Sequence, residues 1–247
     1  MDGVPTEIPI TAWEQGFDAA GQHLLTAKQP VRYETILGGE PKVIFLGESH
    51  PNSAIHRELQ NQARELKKAG VSAFLVEANS NQEDLFRLVN SGNFSRVSET
   101  DLGPMNREQR ILMVQALQRE GIEILPIDDP RNYKKKERAD KDTQEREEYI
   151  ARKIGEIAAS RDGKITVLIG LNHATRGSSH AIDFLERDGV SCKSVFFTGG
   201  SDQIPKIVTE SAKRVGIGYE KFMFQATGKN APYGGKADLI VHLPQVS

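Results

Sequence analysis

Four acidic or imidazole side chains stand at the ends of apolar runs in this 247-residue chain: Glu48 and His50 close KVIFLGESH, Glu77 closes SAFLVE, and His173 closes KITVLIGLNH. Carboxylate and imidazole exchange protons near neutral pH once burial or a neighbour shifts their pKa, and together they form a ligand set for zinc, manganese or iron(II). The residue types therefore offer two chemistries. One is acid–base catalysis by Glu48, His50, Glu77 and His173, with His50 as the preferred base; the other is a divalent metal held by His50, Glu77 and His173. Ser53 has the character of a helix N-cap, which puts His56 in the first helical turn with Arg57 beside it. That helix start, with Arg176 three residues past His173, offers donors and cations to an anionic group or to developing negative charge.

The elements that must position these groups follow from hydrophobic periodicity. Lys42–Glu48, Ser72–Ala78, Ile122–Asp129 and Lys164–His173 are apolar without polar alternation, the pattern of parallel strands covered on both faces. Between the first two, Ile55, Leu59, Ala63 and Leu66 recur at helical spacing and Gly70 stops the segment. Ser80 and Glu83 have capping-box spacing ahead of Leu85, Phe86 and Val89, and a further helix over about residues 106–120 carries Ile111, Val114 and Leu117. The segment from Lys134 to Glu148 is densely charged and reads as a solvated helical face or a lid over the strand ends. Ser178 caps a helix holding Ile182, Phe184 and Leu185 before the strand VSCKSVFF, and EKFMFQA with ADLIVHLP, joined by the Gly-rich Thr227–Lys236 loop, forms a hairpin. The expected fold is α/β: a mostly parallel central sheet flanked by helices, with a C-terminal antiparallel hairpin. Residues 1–247 form one domain, on which residues 1–40 add a helical extension around Trp13, Phe17 and Leu24 at the sheet edge. In such a sheet ligands settle beyond the carboxyl ends of the strands, where the ionisable residues collect.

Composition narrows the partners. With 32 basic and 34 acidic residues interspersed, no face is built to neutralise a phosphate backbone, and nucleic acid is not expected. The one cysteine, Cys192, lies in an apolar run and suits a packing role in a reducing compartment. No apolar stretch reaches the roughly 20 residues of a bilayer span, and the N-terminus lacks a basic flank with an apolar core. A cytoplasmic protein, or one secreted by a non-Sec route such as into a host cell, is expected. His180 and His242 read as structural hydrogen-bonders, His23 as helix packing, and Asp128 and Asp129 as either strand-end acids or the start of a turn before Pro130.

FLGESHPNSAIHREL resembles the first signature of the ChaN-type haem-binding proteins, in which a strand enters Gly-Glu-x-His and a further histidine opens the next helix; LIGLNHATRG resembles their second. SAFLVEA supplies the expected glutamate, and ADLIVHLP resembles the closing strand. The wider superfamily includes the erythromycin esterases, the Tiki and TraB proteins, and domains of bacterial toxins and type III effectors. Carried onto this chain, the resemblance falls on Glu48, His50, His56, Glu77 and His173. It implies hydrolysis by metal-dependent or histidine-activated water in the esterase and Tiki branches, and haem binding in the ChaN branch, where Tyr133, Tyr219 and Tyr233 are the tyrosines available as axial ligands. Three readings follow: a hydrolase of a small-molecule or peptide substrate, a haem or iron carrier, and a secreted bacterial effector acting on a host protein.

Overall fold

The computed structural model describes residues 10–49, 53–95, 97, 107–130, 140–177, 179–199, 206–227 and 231–244. In chain order these form α1 (Ile10–Ala27), α2 (Tyr33–Leu37), β1 (Val43–Glu48), α3 (Ser53–Asn61), α4 (Ala63–Lys68), β2 (Val71–Asn79), α5 (Glu83–Asn90), α6 (Arg107–Arg119), β3 (Glu123–Asp128), α7 (Asp140–Ala159), β4 (Lys164–Gly170), a 3-10 turn (Leu171–Ala174), α8 (Ala181–Arg187), β5 (Cys192–Thr198), α9 (Lys206–Arg214), β6 (Phe222–Gln225) and β7 (Leu239–His242). The seven strands form one sheet in the order β3-β2-β4-β1-β5-β7-β6. All neighbours are parallel except the β6–β7 hairpin. The α/β architecture with a C-terminal antiparallel hairpin is therefore the one the apolar runs specify.

Those runs lack polar alternation because both faces of the sheet are covered. Along β1, Val43 and Phe45 join one core with Ile150 and Ile154 of α7, Ile182 of α8 and Val208 of α9. Ile44 and Leu46 join the other with Ile55 and Leu59 of α3, Phe86 of α5 and Leu117 of α6. Each fully buried side chain of this kind contributes about 1.5–3 kcal/mol relative to exposure. α1 lies against α9, and Gln29 just after it pairs with Met223 on β6, the strand at that edge of the sheet; the side chain of Trp13 lies outside the described residues.

The helices leaving β1 and β4 cover opposite faces, since α3 belongs to one core and α8 to the other. Adjacent strands whose connections diverge leave a crevice at their carboxyl ends, and here it opens between β1 and β4. The turn that follows β4 folds back over β1, and Gly47 makes room for it. A Cβ on Gly47 would meet Ala174, Leu171 and Phe196 atoms at 3.2 Å, tighter than ordinary packing.

Local details depart from the sequence expectation in three places. The first crossover helix is broken at Gln62 into α3 and α4. β4 ends at Gly170, so His173 rides on the 3-10 turn rather than on the strand. Ser80 does not cap α5: the helix begins at Glu83 after Gln82, and the Ser80 hydroxyl bonds the Tyr149 hydroxyl at 2.6 Å instead. Ser178 lies outside the described residues; at the start of α8 the His180 N–H donates to the Asp183 carboxylate at 3.1 Å.

The outer edge of the sheet, β3, is closed by a side chain. Asn90 accepts from Ile124 N–H through Oδ1 and donates to Ile124 C=O through Nδ2, both at 2.8 Å, and Pro126 removes a further donor from the strand. Such plugging suppresses edge-to-edge association. Asn90→Ala orphans both backbone groups and is expected to cost about 1–3 kcal/mol in urea unfolding, with concentration-dependent association above the wild-type level; an unchanged midpoint contradicts this.

Candidate functional site

The crevice between β1 and β4 is a cleft of about 330 Å³ lined by Glu48, Ser49, Glu77, Arg146, Gly170, Leu171, Asn172 and His173. Three of the four residues that the sequence singles out for catalysis meet here. The fourth, His50, lies outside the described residues.

Its floor is a buried ionic triad. Glu48 at the end of β1 receives Arg110 Nη2 of α6 on one oxygen at 2.5 Å and faces His56 Nε2 of α3 on the other at 2.9 Å; all three side chains are 2% exposed. Arg110 thus fixes one oxygen of the carboxylate, and His56 stands beside the other. His56 is accordingly a partner of Glu48, turned inward, while its neighbour Arg57 is exposed on α3.

Above it Arg146 of α7 ties three strands together. Its Nε and Nη2 clasp both oxygens of Asp128 at the end of β3, at 2.7 and 2.8 Å, and Nη2 also donates to Glu77 Oε1 on β2 at 2.7 Å. Nη1 stands 3.2 Å from His173 Nε2. The other oxygen of Glu77 accepts the Gly170 N–H at 2.8 Å. Burial works against the Arg146 charge, but the hydrogen bonds and charges of Asp128 and Glu77 outweigh it and raise its pKa.

His173 is held from its other side by Glu147, the next residue on α7, whose Oε1 lies 2.6 Å from Nδ1. Glu147 Oε2 accepts the Ala181 N–H at 2.9 Å, and Oε1 also lies 3.6 Å from His180 Nδ1. Burial opposes charge on the imidazole, yet its hydrogen bonds to Glu147 and Glu77 raise its pKa to about 9. Burial likewise raises Glu147, and His173, His180 and the Ala181 amide overcome it, leaving its pKa lowered. A pKa raised in this way favours the imidazolium between the two carboxylates; only the ring without its Nε2 proton accepts a hydrogen bond from Arg146.

The remaining candidates separate from the cleft. Arg176 sits at the amino ends of β5 and β7, donating to Glu186 at 2.9 Å and Asp238 at 2.8 Å, because the chain after the 3-10 turn runs back down the sheet. His242 is buried against Thr198 Oγ1 and Gly218 C=O, and burial lowers its pKa, in keeping with a structural part. Asp128 is a strand-end acid of the site, and Asp129, buried, donates its N–H to the Asp128 side chain.

Arg146, Glu147 and Arg110 were not singled out by motif, and the charged 134–148 segment read as a solvated face or lid. Within its described part, 140–148, Arg146 and Glu147 face inward; 134–139 lies outside the described residues. The signal was present in the spacing. Arg146 and Glu147 precede Ile150 by four and three residues, and Arg110 precedes Val114 by four, so all three continue an apolar stripe backwards.

Of the metal set suggested by the sequence, Glu77 and His173 line the cleft and His50 lies outside the described residues. Both oxygens of Glu77 and both of Asp128 already accept N–H groups, and among the described residues no three His, Cys, Asp or Glu side chains are grouped to hold a metal. Haem wants an apolar slot with an axial ligand, whereas the cleft presents Glu48, Glu77, Arg146 and Asn172.

No protein family and no curated protein matches the chain by sequence. Among solved structures, the chain is similar in fold to the type III effector HopBA1, at TM-score 0.51 and 12% identity over 81% of this chain and 87% of that one. Two bacterial protein toxins align at TM-scores 0.41 and 0.42, with 19% and 18% identity, over 72% and 71% of this chain; it spans 41% and 39% of their length. At these identities the likeness is one of fold. Among the described residues no helix is long and apolar enough to cross a membrane.

Two outcomes follow from the ionic geometry. Arg110→Met takes the guanidinium from a buried carboxylate and is expected to cost about 3–5 kcal/mol in denaturant unfolding; a loss below about 1 kcal/mol contradicts the buried pair. The His173 ring is expected to titrate near pH 9 by NMR and to move down in Glu147→Gln. Because the folded pKa lies above the ordinary 6.5, the associated stability is complete below about pH 6.5 and is lost as pH rises through 9. A midpoint at or below 6.5 contradicts the assignment.

Proposed function

We propose that the cleft between β1 and β4 is the acid–base active site of a hydrolase, and that the protein works as a bacterial effector on a molecule of a host cell. One observation carries the catalytic part: His173 is fixed at the cleft wall by Glu147 at 2.6 Å while its Nε2 edge faces Glu77 and Arg146. An imidazole oriented by a buried carboxylate is the general acid–base unit of many hydrolases. Held cationic, His173 is suited to give a proton to a leaving group. Asp128 and Glu77 are bonded by Arg146 Nε and Nη2, which leaves Nη1 on the cleft side to meet an oxygen that gains negative charge. His50, which follows Ser49 in sequence, keeps the role of base that its motif suggests. This scheme needs neither metal nor haem.

The effector part is supported by the fold shared with HopBA1 over most of both chains. It is also supported by the resemblance of the two histidine motifs to a superfamily that includes toxin and effector domains.

His173→Gln replaces the imidazole by a neutral amide that cannot cycle a proton. In yeast expressing the chain, wild type is expected to arrest growth and His173→Gln to relieve the arrest. On a panel of 4-nitrophenyl esters, phosphates and glycosides, any compound that wild type hydrolyses is expected to be hydrolysed about 10²–10⁴-fold more slowly by the variant. A fully active His173→Gln protein contradicts the proposal.

A further inference from the structure

The end of the sheet away from the cleft holds a second hollow. A cavity of about 850 Å³, against about 330 Å³ for the cleft, opens at the amino ends of β5 and β7. Thr35 of α2, Arg176, Lys193 of β5, Gln225 of β6, and Asp238 and Leu239 at the start of β7 line it. A cavity of this size accommodates a small organic molecule, and a few polar groups on its wall decide which one. Two of the groups here are cations, Lys193 and Arg176. We propose that this cavity binds a small molecule through a carboxylate or phosphate group, with Lys193 and Arg176 as the partners of the anion.

The charges at this end carry the argument. Lys193 Nζ donates to the Thr35 carbonyl at 2.5 Å and the Gly38 carbonyl at 3.4 Å, partners that supply oxygen but no negative charge. Lys164, at the start of β4, is held in the same way on the Gly39 and Pro41 carbonyls, and Lys236 on the Arg176 carbonyl. Arg176 bonds Glu186 and Asp238 through Nε and Nη2, and Asp238 turns the same oxygen, Oδ2, to the Ser194 N–H, so that carboxylate is committed to the guanidinium rather than to Lys193. Glu186 and Asp238 exceed Arg176 by one negative charge, which the three ammonium groups more than offset. Burial lowers the Lys193 pKa, with Asp238 working against this and the charge of Lys164 adding to it; an anionic oxygen beside the ammonium would reverse that destabilisation. An ammonium carries three donors, so Lys193 can take such an oxygen without releasing its carbonyls, and Arg176 has Nη1 for a second one.

The test is calorimetric titration of the purified chain with inorganic phosphate, pyrophosphate and citrate at millimolar concentration, with ionic strength matched by sodium chloride. Wild type is expected to bind one equivalent of at least one of them. Uptake of phosphate or pyrophosphate without citrate assigns a phosphate group to the ligand, and the converse assigns a carboxylate. Lys193→Met is expected to weaken that binding about tenfold or more, the effect of losing a hydrogen bond to a charged group. Gln225→Glu, which puts a negative charge of nearly the same shape on an exposed residue of the cavity wall, is expected to weaken it as well. His173→Gln, at the other end of the sheet, is expected to bind as wild type does. Lys193→Met also removes the tie to α2, so where it fails to fold Gln225→Glu decides alone. No binding of any of the three anions by wild type overturns the inference, as does binding that neither cavity variant weakens or that His173→Gln abolishes, which would put the anion in the cleft. Presence or absence of hydrolysis bears on the cleft and not on this cavity.

Discussion

One partly buried guanidinium, that of Arg146, organises the carboxyl rim of this sheet. Without Arg146, the ends of β2 and β3 would present two carboxylates to each other and to the turn carrying His173. At an effective dielectric near 20, two unit charges about 4 Å apart interact by about 4 kcal/mol, so the sign of that contact decides whether the strand ends can approach. By bonding Asp128 and Glu77 together beside the turn that carries His173, Arg146 turns repulsion into a brace at the ends of adjacent strands. Glu147 completes the brace from the same helix, so one turn of α7 supplies both the cation and the carboxylate that orients the imidazole.

The second ionic group lies deeper and serves differently. Glu48, Arg110 and His56 are sealed in the face covered by α3 and α6, and each oxygen of Glu48 has a partner from a different helix. Replacing such a group by apolar residues of equal volume need not cost stability, whereas removing one member does. Its value therefore lies in where it sets the end of β1. Gly47, immediately before it, admits the turn from β4. Floor, brace and turn together produce a cleft whose walls are polar and fixed, between two adjacent strands that send their helices to opposite faces.

Much of this was legible in the residues. Uninterrupted apolar runs reported strands buried on both sides, and the strand-end acids Glu48 and Glu77 with His173 marked the rim. Less legible was what those groups bind. Arg176 looked adjacent to His173 because it is three residues away, but the chain reverses down the sheet and takes it to Glu186 and Asp238. Arg146 and Glu147 were hidden by the polar stretch around them, since composition averages over a helix while burial follows a single face. Extending the stripe of Ile150, Ile154 and Ile157 one turn backwards identifies both, and the same extension from Val114 and Leu117 identifies Arg110. Sequence patterns report apolar partners through period; the pairing of charges from distant elements leaves no period to read.

The central claim is that Arg146 and Glu77 are energetically coupled across the gap between α7 and β2. A double-mutant cycle by urea unfolding, using Arg146→Met, Glu77→Gln and the combined variant, measures that coupling directly. The double variant is expected to be more stable than the sum of the single losses implies, with a coupling of about 1–3 kcal/mol. Strict additivity, with a coupling indistinguishable from zero, would contradict it.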